Sequence, residues 1–216
     1  MSFWGLRVYV LSCCVRRYSM IITVASFKGG VGKTTTSLHL AAYCNKLEPS
    51  LLVDGDLNRS ALQWSQEGKL PFKVCDEKQA VRFSRQFEHI IVDTAARPAP
   101  EELKVLAEGC DLLVLPTSPD ALSIGATLQM IGVLSNLRTQ YKILLTICPP
   151  KPNPVADEAR QAIKNAGLPM FESNIRRLAV FGKAAALGCL VQDVSGDRYS
   201  NIAWNCYNQV GKEIFS

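Results

Sequence analysis

The chain has 216 residues, of which 48% are hydrophobic and 20% are charged, a balance typical of a globular protein and opposed to intrinsic disorder. Its length predicts one large domain with a single core. The net charge of +5 is concentrated in residues 1–19 and 138–216, and no apolar run approaches the roughly 20 residues that a membrane-spanning helix needs.

Residues 1–19 precede the first convincing strand and are predicted to lie outside the domain. Their apolar stretch is short, and most of its arginines follow it, which argues against a secretory signal. A loose extension or an upstream start codon is the simplest interpretation, and a peripheral contact with a membrane or a partner is the alternative. The domain itself is expected over residues 20–216.

Short apolar runs recur along the chain with helical patterns between them. This alternation predicts an α/β fold, a mostly parallel, twisted sheet with helices on both faces. Residues 90–92 and 112–115 are continuously apolar, as strands covered on both faces require. The predicted strands are residues 20–26, 51–54, 72–75, 89–93, 112–116 and 142–148.

Proline and glycine mark several predicted helix ends. Ser118-Pro119 and Pro100 are expected to begin helices, and Gly109 and Gly167 are expected to follow them.

The C-terminal stretch carries apolar residues four apart, at Ile202, Cys206, Val210 and Ile214. This stripe is predicted to pack on the core.

The eight cysteines contain no C-x-x-C spacing of a zinc or redox site. We interpret them as small buried residues of a protein in the reducing cytoplasm.

A glycine-rich turn follows the first predicted strand and leads into a helical pattern near Lys33. The segment reads Lys28-Gly29-Gly30-Val31-Gly32-Lys33-Thr34-Thr35. Glycines let backbone amides surround phosphate oxygens, and the helix N-terminus adds partial positive charge. Lys33 can reach the β- and γ-phosphates, and the Thr34 hydroxyl can bind Mg²⁺. The motif therefore predicts a phosphate loop for a nucleotide and Mg²⁺.

The base is expected to be adenine. Guanine specificity normally needs Asn-Lys-x-Asp at a strand end, and the nearest string begins at Asn45, at the end of the loop helix. This position is wrong for a base contact, so ATP is favoured.

The ordinary phosphate loop has glycine where Phe27 stands, whereas this chain carries the extra Lys28. K-G-G-x-G-K-[ST]-[ST] is the loop of the ParA/MinD superfamily, which residues 20–216 resemble. In that family the extra lysine crosses a dimer interface to the phosphates of the partner's ATP. The resemblance thus implies a homodimer with ATP sandwiched between subunits; a plain solvated lysine is the alternative.

The resemblance also assigns two aspartates. Asp56 would lie by the attacking water and share the catalytic role with Lys28, and Asp93 would share Mg²⁺ with Thr34. The base would sit against the loop that carries Pro149 and Pro150.

Two departures from the family pattern follow these aspartates. Leu57-Asn58 replaces the usual Pro-Gln after Asp56, and the segment after Asp93 ends in Arg97 where a glycine or proline turn is more typical. We interpret Arg97 either as a switch residue that answers phosphate or as a surface arginine.

Signatures of other branches are missing. There is no cysteine pair placed for a shared iron–sulfur cluster, and residues 201–216 contain one lysine where a basic amphipathic membrane helix would have several. The chain is most similar to small ParA-like positioning ATPases, which serve plasmids, chromosomes or, in the McdA-like branch, carboxysomes. A MinD-like peripheral membrane ATPase and an ATP-dependent small-molecule ligase are the alternatives.

The positioning family implies nonspecific DNA and an adaptor as partners, in the cytoplasm at the nucleoid. Its ATP-bound dimer coats DNA, and a cargo-bound ParB-like or McdB-like adaptor stimulates hydrolysis. Contacts to DNA phosphates would be weak, salt-sensitive and independent of sequence. Five basic residues, each of which could equally be a plain surface cation, match the region of the family's DNA contacts: Arg160, Lys164, Arg176, Arg177 and Lys183.

Overall fold

The structure is a computed structural model that describes residues 19–135, 137, 139–150, 152 and 154–216. The predicted N-terminal extension lies outside the described residues, apart from residue 19. Met20 begins the first strand, as predicted.

Strands and helices alternate over most of the described residues, and three α-helices follow the last strand, which confirms the predicted α/β class. The strands are β1 (Met20–Ser26), β2 (Ser50–Gly55), β3 (Lys73–Asp76), β4 (His89–Ala96), β5 (Leu112–Thr117) and β6 (Tyr141–Leu145). The α-helices are α1 (Lys33–Cys44), α2 (Ser60–Ser65), α3 (Glu77–Phe83), α4 (Pro100–Glu108), α5 (Ala121–Leu134), α6 (Pro154–Asn165), α7 (Val180–Leu187) and α8 (Ser200–Ile214).

The six strands form one parallel sheet in the order β3-β2-β4-β1-β5-β6. β1 is central, between β4 and β5, and the chain reverses its direction of travel across the sheet at this point. Ligands of open parallel sheets bind at such a switch point, outside the carboxyl ends of the strands. The turn after β1 lies at this position.

Helices cover both faces of the sheet because successive strand residues point in opposite directions. Leu52 and Ile91 pack with α1, α2, α7 and α8 on one face, whereas Leu51 and Ile90 pack with α3 on the other. Near β5 and β6 that second face is covered by α4, α5 and α6. The continuously apolar strands are therefore buried on both sides, as predicted.

Some predicted boundaries were wrong. β6 ends at Leu145 instead of residue 148, because Ile147 takes a left-handed backbone conformation (φ 54°) that a strand cannot contain. α5 begins at Ala121 and is capped by Asp120, not by Ser118, because the Asp120 carboxylate accepts the Ser123 amide. Pro100 and Gly109 do begin and cap α4.

The predicted stripe on α8 was also wrong in part. Residues four apart advance 400° around a helix, so a stripe spaced strictly by four drifts off any one face. Ile202 is accordingly exposed and Val210 is buried. The buried face contains Ala203, Tyr207, Val210 and Gly211.

Of the cysteines among the described residues, five are buried and Cys206 is partly exposed, as expected for small core residues. Among the helices of the described ranges, none is long and apolar enough to cross a membrane.

Candidate functional site

The predicted phosphate loop connects β1 to α1 at the centre of the sheet. Gly30 and Gly32 have φ angles of 78° and 83°, which side chains rarely adopt. Gly32 is the N-cap of α1, and no side chain caps this helix end. The first amides of α1 are therefore open to an anion, and Lys33, only 8% exposed, adds a cation beside them.

The segment after β6 supports this loop from one side. The Thr146 hydroxyl donates a hydrogen bond to the Val31 carbonyl over 2.8 Å, and both residues are buried. Thr146 had no local sequence signal, since the two residues lie 115 positions apart. Pro149 is half-buried and Pro150 is exposed, and their contact with a base stays a prediction.

Asp93 lies in β4, beside β1, and is fully buried. The Ser37 hydroxyl donates to its Oδ1 over 2.9 Å, while Oδ2 has no hydrogen-bond partner of normal geometry among the described residues. Burial raises the pKa of Asp93 to about 7, against the lowering effect of hydrogen bonds from Thr34 and Ser37. The nearby Asp54 carboxylate raises this pKa further.

This arrangement fits Mg²⁺. Magnesium prefers oxygen ligands, and the buried Asp93 carboxyl lies within hydrogen-bonding reach of the Thr34 hydroxyl at the N-terminus of α1. These two residues would hold the ion directly or through water, and the ion would neutralise phosphate charge. Both assignments stay predictions.

Asp54 is a second buried carboxyl that sequence reasoning missed. It lies opposite Asp93 in the β2–β4 register. Its Oδ1 accepts the Asp56 amide over 3.1 Å and its Oδ2 accepts the Leu62 amide over 2.9 Å. Burial raises its pKa, and these hydrogen bonds oppose the shift. Asp54 therefore fixes the turn that carries Asp56, and its place in Asp54-Gly55-Asp56 was the available signal.

Asp56 follows β2 and is half-buried. Its Oδ1 accepts the Asn58 amide over 2.9 Å, which closes a turn and leaves Oδ2 open to other donors. Arg59 completes this turn, because its guanidinium donates to the Asp54 carbonyl over 2.6 Å and to Glu77 Oε2 over 3.1 Å. The contact of Asp56 with the attacking water stays a prediction.

Lys28 has a partner within its own chain. Its ammonium donates to Asp120 Oδ1 and to Ser123 Oγ, each over 2.8 Å. Burial alone would raise the pKa of Asp120, but the hydrogen bonds from Lys28, Ser118 and Ser123 hold it well below its ordinary value. The predicted trans-acting lysine is thus held by an ionised carboxylate in the single chain.

The model of the CobQ/CobB/MinD/ParA nucleotide-binding domain family matches residues 22–191. The chain belongs to this family.

Relatives with assigned names place the chain among positioning ATPases of the McdA/ParA type. The maintenance of carboxysome distribution protein A of Gloeobacter kilaueensis is 31% identical over 206 residues, covering 91% of this chain and 94% of the relative. The protein of the same name from Halothiobacillus neapolitanus is 27% identical over 187 residues, covering 79% and 85%. The chromosome-partitioning ATPase Soj of Thermus thermophilus is 31% identical over 173 residues, covering 77% and 60%.

Solved structures of the ParA/MinD family share the fold. Apo McdA from Cyanothece superposes with a TM-score of 0.73 at 15% identity, covering 91% of this chain and 99% of that one. Aquifex aeolicus MinD in its complex with MinC gives 0.70 at 16% identity, covering 91% and 96%. At these identities the likeness shows the P-loop NTPase fold alone.

Three of the five cations matched to the family's DNA contacts are engaged by carboxylates. Arg160 and Lys164 lie 3.8 Å and 2.9 Å from the Glu172 carboxylate, and Lys183 lies 2.7 Å from Asp197 Oδ2. These ion pairs reduce the charge that the three side chains offer to DNA.

Arg176 and Arg177 lie on the segment that pairs with the end of β6. Cys148 forms an isolated parallel bridge with Arg176, and the Arg177 amide donates to the Cys148 carbonyl over 2.7 Å. Within the described ranges neither guanidinium forms a salt bridge, and Arg177 is exposed. They are the family-matched cations with most charge to offer, and their DNA contact stays a prediction.

Proposed function

We propose that this chain is a ParA/McdA-type ATPase that binds ATP and Mg²⁺, dimerises around ATP, and binds nonspecific DNA at the nucleoid in the cytoplasm. A ParB-like or McdB-like adaptor on a cargo would stimulate ATP hydrolysis, and hydrolysis would release the protein from DNA. The observation that carries the proposal is the pair of lysines, Lys28 and Lys33, on a loop of open amides beside the buried Asp93 carboxyl.

The proposed hydrolysis depends mainly on the positioning of ATP and the attacking water and on neutralisation of the phosphate charge. Lys33 and the loop amides bind the phosphates, and Asp56 orients the attacking water. Two ATP molecules facing each other repel, so a cation donated across the interface by each Lys28 favours the dimer. Lys28 would leave Asp120 and Ser123 when the ATP dimer forms.

The first cargo to test is the carboxysome. Two named relatives distribute carboxysomes, and one of them aligns over 94% of its length. A chromosome or plasmid is the alternative, supported by the Soj relative. Carboxysome fluorescence in a deletion strain, with and without this chain, separates the two, since chromosome partition would leave carboxysome spacing unchanged.

The decisive biochemical experiment is retention of random-sequence duplex DNA at moderate salt with Mg²⁺ and ATP, ADP or no nucleotide. We expect retention with ATP only, and stronger retention by Asp56→Ala because the bound ATP persists. Lys28→Ala is expected to bind nucleotide without forming the DNA-binding dimer. Glu67→Ala, at an exposed carboxylate after α2, is the control and should match wild type.

Other outcomes would reassign the function. A chain that dimerises with ATP yet ignores DNA would contradict the DNA proposal. Retention on anionic vesicles would then indicate the MinD-like alternative, and phosphate release dependent on an added small acid or amine would indicate a ligase.

A further inference from the structure

Arg97 holds a backbone conformation that arginine normally avoids. Its φ is 58°, and only Arg59 and Ile147 share a positive φ among the non-glycine residues of the described ranges. Left-handed backbone costs a side-chain-bearing residue roughly 1 kcal/mol or more. Pro98 follows and restricts the preceding residue further. Such strain persists only where surrounding contacts impose it, and it concentrates at functional sites.

The contacts of Arg97 all reach the entrance of the phosphate loop. Its amide donates to the Ser26 carbonyl over 3.1 Å, and its side-chain Nε donates to the Phe27 carbonyl over 3.2 Å. The Lys28 amide in turn donates to Ser26 Oγ over 3.1 Å. Arg97, which directly follows β4, therefore holds the two peptide units that precede Lys28.

The pairing of β1 with β4 shows where these hydrogen bonds of Arg97 act. β1 and β4 pair in regular register up to Val24 and Asp93, and the register shifts between Val24 and Ser26. Pairing resumes after this bulge at Ser26 and Ala96, just before the loop. Arg97, one residue past β4, continues the ladder with its backbone bond to Ser26 and extends it to Phe27 with a side-chain bond.

We propose that Arg97 is a positioning residue that sets the backbone of Lys28, and so aims the Lys28 side chain; it acts through hydrogen bonds, not through its charge. This inference rests on the proposed function, because the orientation of Lys28 affects catalysis only if Lys28 acts on ATP. The terminal guanidinium nitrogens have no assigned role in it.

Three variants separate the hydrogen bond from the charge and the strain. In Arg97→Gln the amide nitrogen occupies the chain position of Nε, so the bond to Phe27 is kept and the charge is removed. In Arg97→Lys the charge is kept, and a carbon occupies that position. In Arg97→Gly the strain is relieved and the side chain is lost.

The first readout is independent of activity. In nucleotide-free protein, deuterium uptake over residues 26–33 should be at least about fivefold faster in Arg97→Gly and Arg97→Lys than in wild type, as the loss of one net hydrogen bond predicts. Arg97→Gln should match wild type. Unchanged uptake in Arg97→Gly, or faster uptake in Arg97→Gln but not in Arg97→Lys, would overturn the proposal.

The second readout is ATP turnover. We expect Arg97→Gly and Arg97→Lys to lose about tenfold in kcat with ADP affinity kept, and Arg97→Gln to stay within about threefold. Combining Arg97→Gly with Lys28→Ala should cost no more than Lys28→Ala alone, because the two residues act in series. Full additivity would overturn the proposal. Absence of turnover in wild type would contradict the proposed function, while deuterium uptake would still decide the role of Arg97.

Discussion

Asp93 is completely buried, and its Oδ2 has no hydrogen-bond partner of normal geometry among the described residues. Its pKa of about 7 in the fold exceeds its ordinary value of 3.8, so the folded chain binds an extra proton between these pH values. Such a group stabilises the fold fully below pH 3.8, and this contribution is lost as the pH rises to 7. Ionised Asp93 is therefore an electrostatic cost in the ligand-free protein, of the kind that functional sites carry.

The substitution Asp93→Asn removes the electrostatic cost of burying an ionised carboxylate. Without Mg²⁺ and nucleotide, we expect the free energy of unfolding at pH 8 to rise by on the order of 2 kcal/mol, and the gain to vanish near pH 4. Urea unfolding at pH 8, 6 and 4 measures it. Glu172→Gln is the control, since Lys164 lowers the pKa of this exposed carboxylate and its loss brings no gain at pH 8. A gain that is independent of pH would contradict the electrostatic origin.

In the proposed ATP dimer, Asp120 would compete with ATP for Lys28. Asp120→Asn breaks the ion pair and keeps the N-cap of α5, because Asn and Asp cap helices about equally. A partly exposed pair is worth up to about 1 kcal/mol, and a dimer contains two such pairs. We therefore expect ATP-dependent dimerisation to tighten by up to about thirtyfold. Sedimentation at graded protein concentration measures the dimer constant. Weaker dimerisation would show that Asp120 assists the ATP-bound state.

At the scale of elements, α1 begins at the phosphate loop and packs against the C-terminal helix α8. His39 on α1 stacks on Tyr207 of α8, with ring centroids 4.8 Å apart. Its Nε2 accepts the Val191 amide over 3.2 Å, so Nδ1 carries the hydrogen and donates to the Thr35 carbonyl over 2.7 Å. Burial lowers the pKa of His39 to about 4, which keeps the ring neutral and this tautomer in place at neutral pH.

α8 approaches α1 closely at Gly211, which faces the Tyr43 ring. A Cβ atom there would overlap the Tyr43 ring, so Gly211→Ala should lower the free energy of unfolding by about 1–3 kcal/mol through overpacking. Gly182→Ala on α7 is the matched control, because nothing lies within 4 Å of its Cβ. Ala also favours helix, so this control should gain about 0.5–1 kcal/mol. Thermal unfolding of both variants tests the difference, and equal stabilities would exclude overpacking.

Elements with strong local patterns could be predicted from the sequence. The strand, glycines and helix of the phosphate loop lie within 25 residues, and each has its own periodicity or conformational requirement. Contacts between distant segments leave no such pattern. Lys28 lies 92 residues from Asp120, and Tyr207 lies 171 residues from its hydrogen-bond partner Thr36, so neither pair was predictable. The strained turn at Arg97 was visible only as a departure from the family pattern.

At the scale of the whole molecule, the net charge of +5 overstates the cationic surface for DNA. Lys183 is paired with Asp197, whereas Arg177 is exposed with no salt bridge in the described ranges. Arg177→Ala should therefore weaken ATP-dependent DNA binding and lower the slope of log affinity against log salt by roughly 1 for each Arg177 of the dimer that contacts DNA. Lys183→Ala should change the slope less. Fluorescence anisotropy of labelled duplex DNA over a salt series measures both, and equal slopes in all proteins would exclude Arg177 from the contact.

The packing of α1 against α8 also affects how the chain matures during synthesis. The hydroxyls of Thr36 and Tyr207 are within 3.1 Å of each other, yet Tyr207 is translated 171 residues later. At 5–20 residues per second the ribosome needs roughly 10–30 s to cover that interval. Throughout this time the face of the phosphate-loop helix that packs on α8 is uncovered, and a chain stalled before α8 is expected to lack a settled nucleotide site.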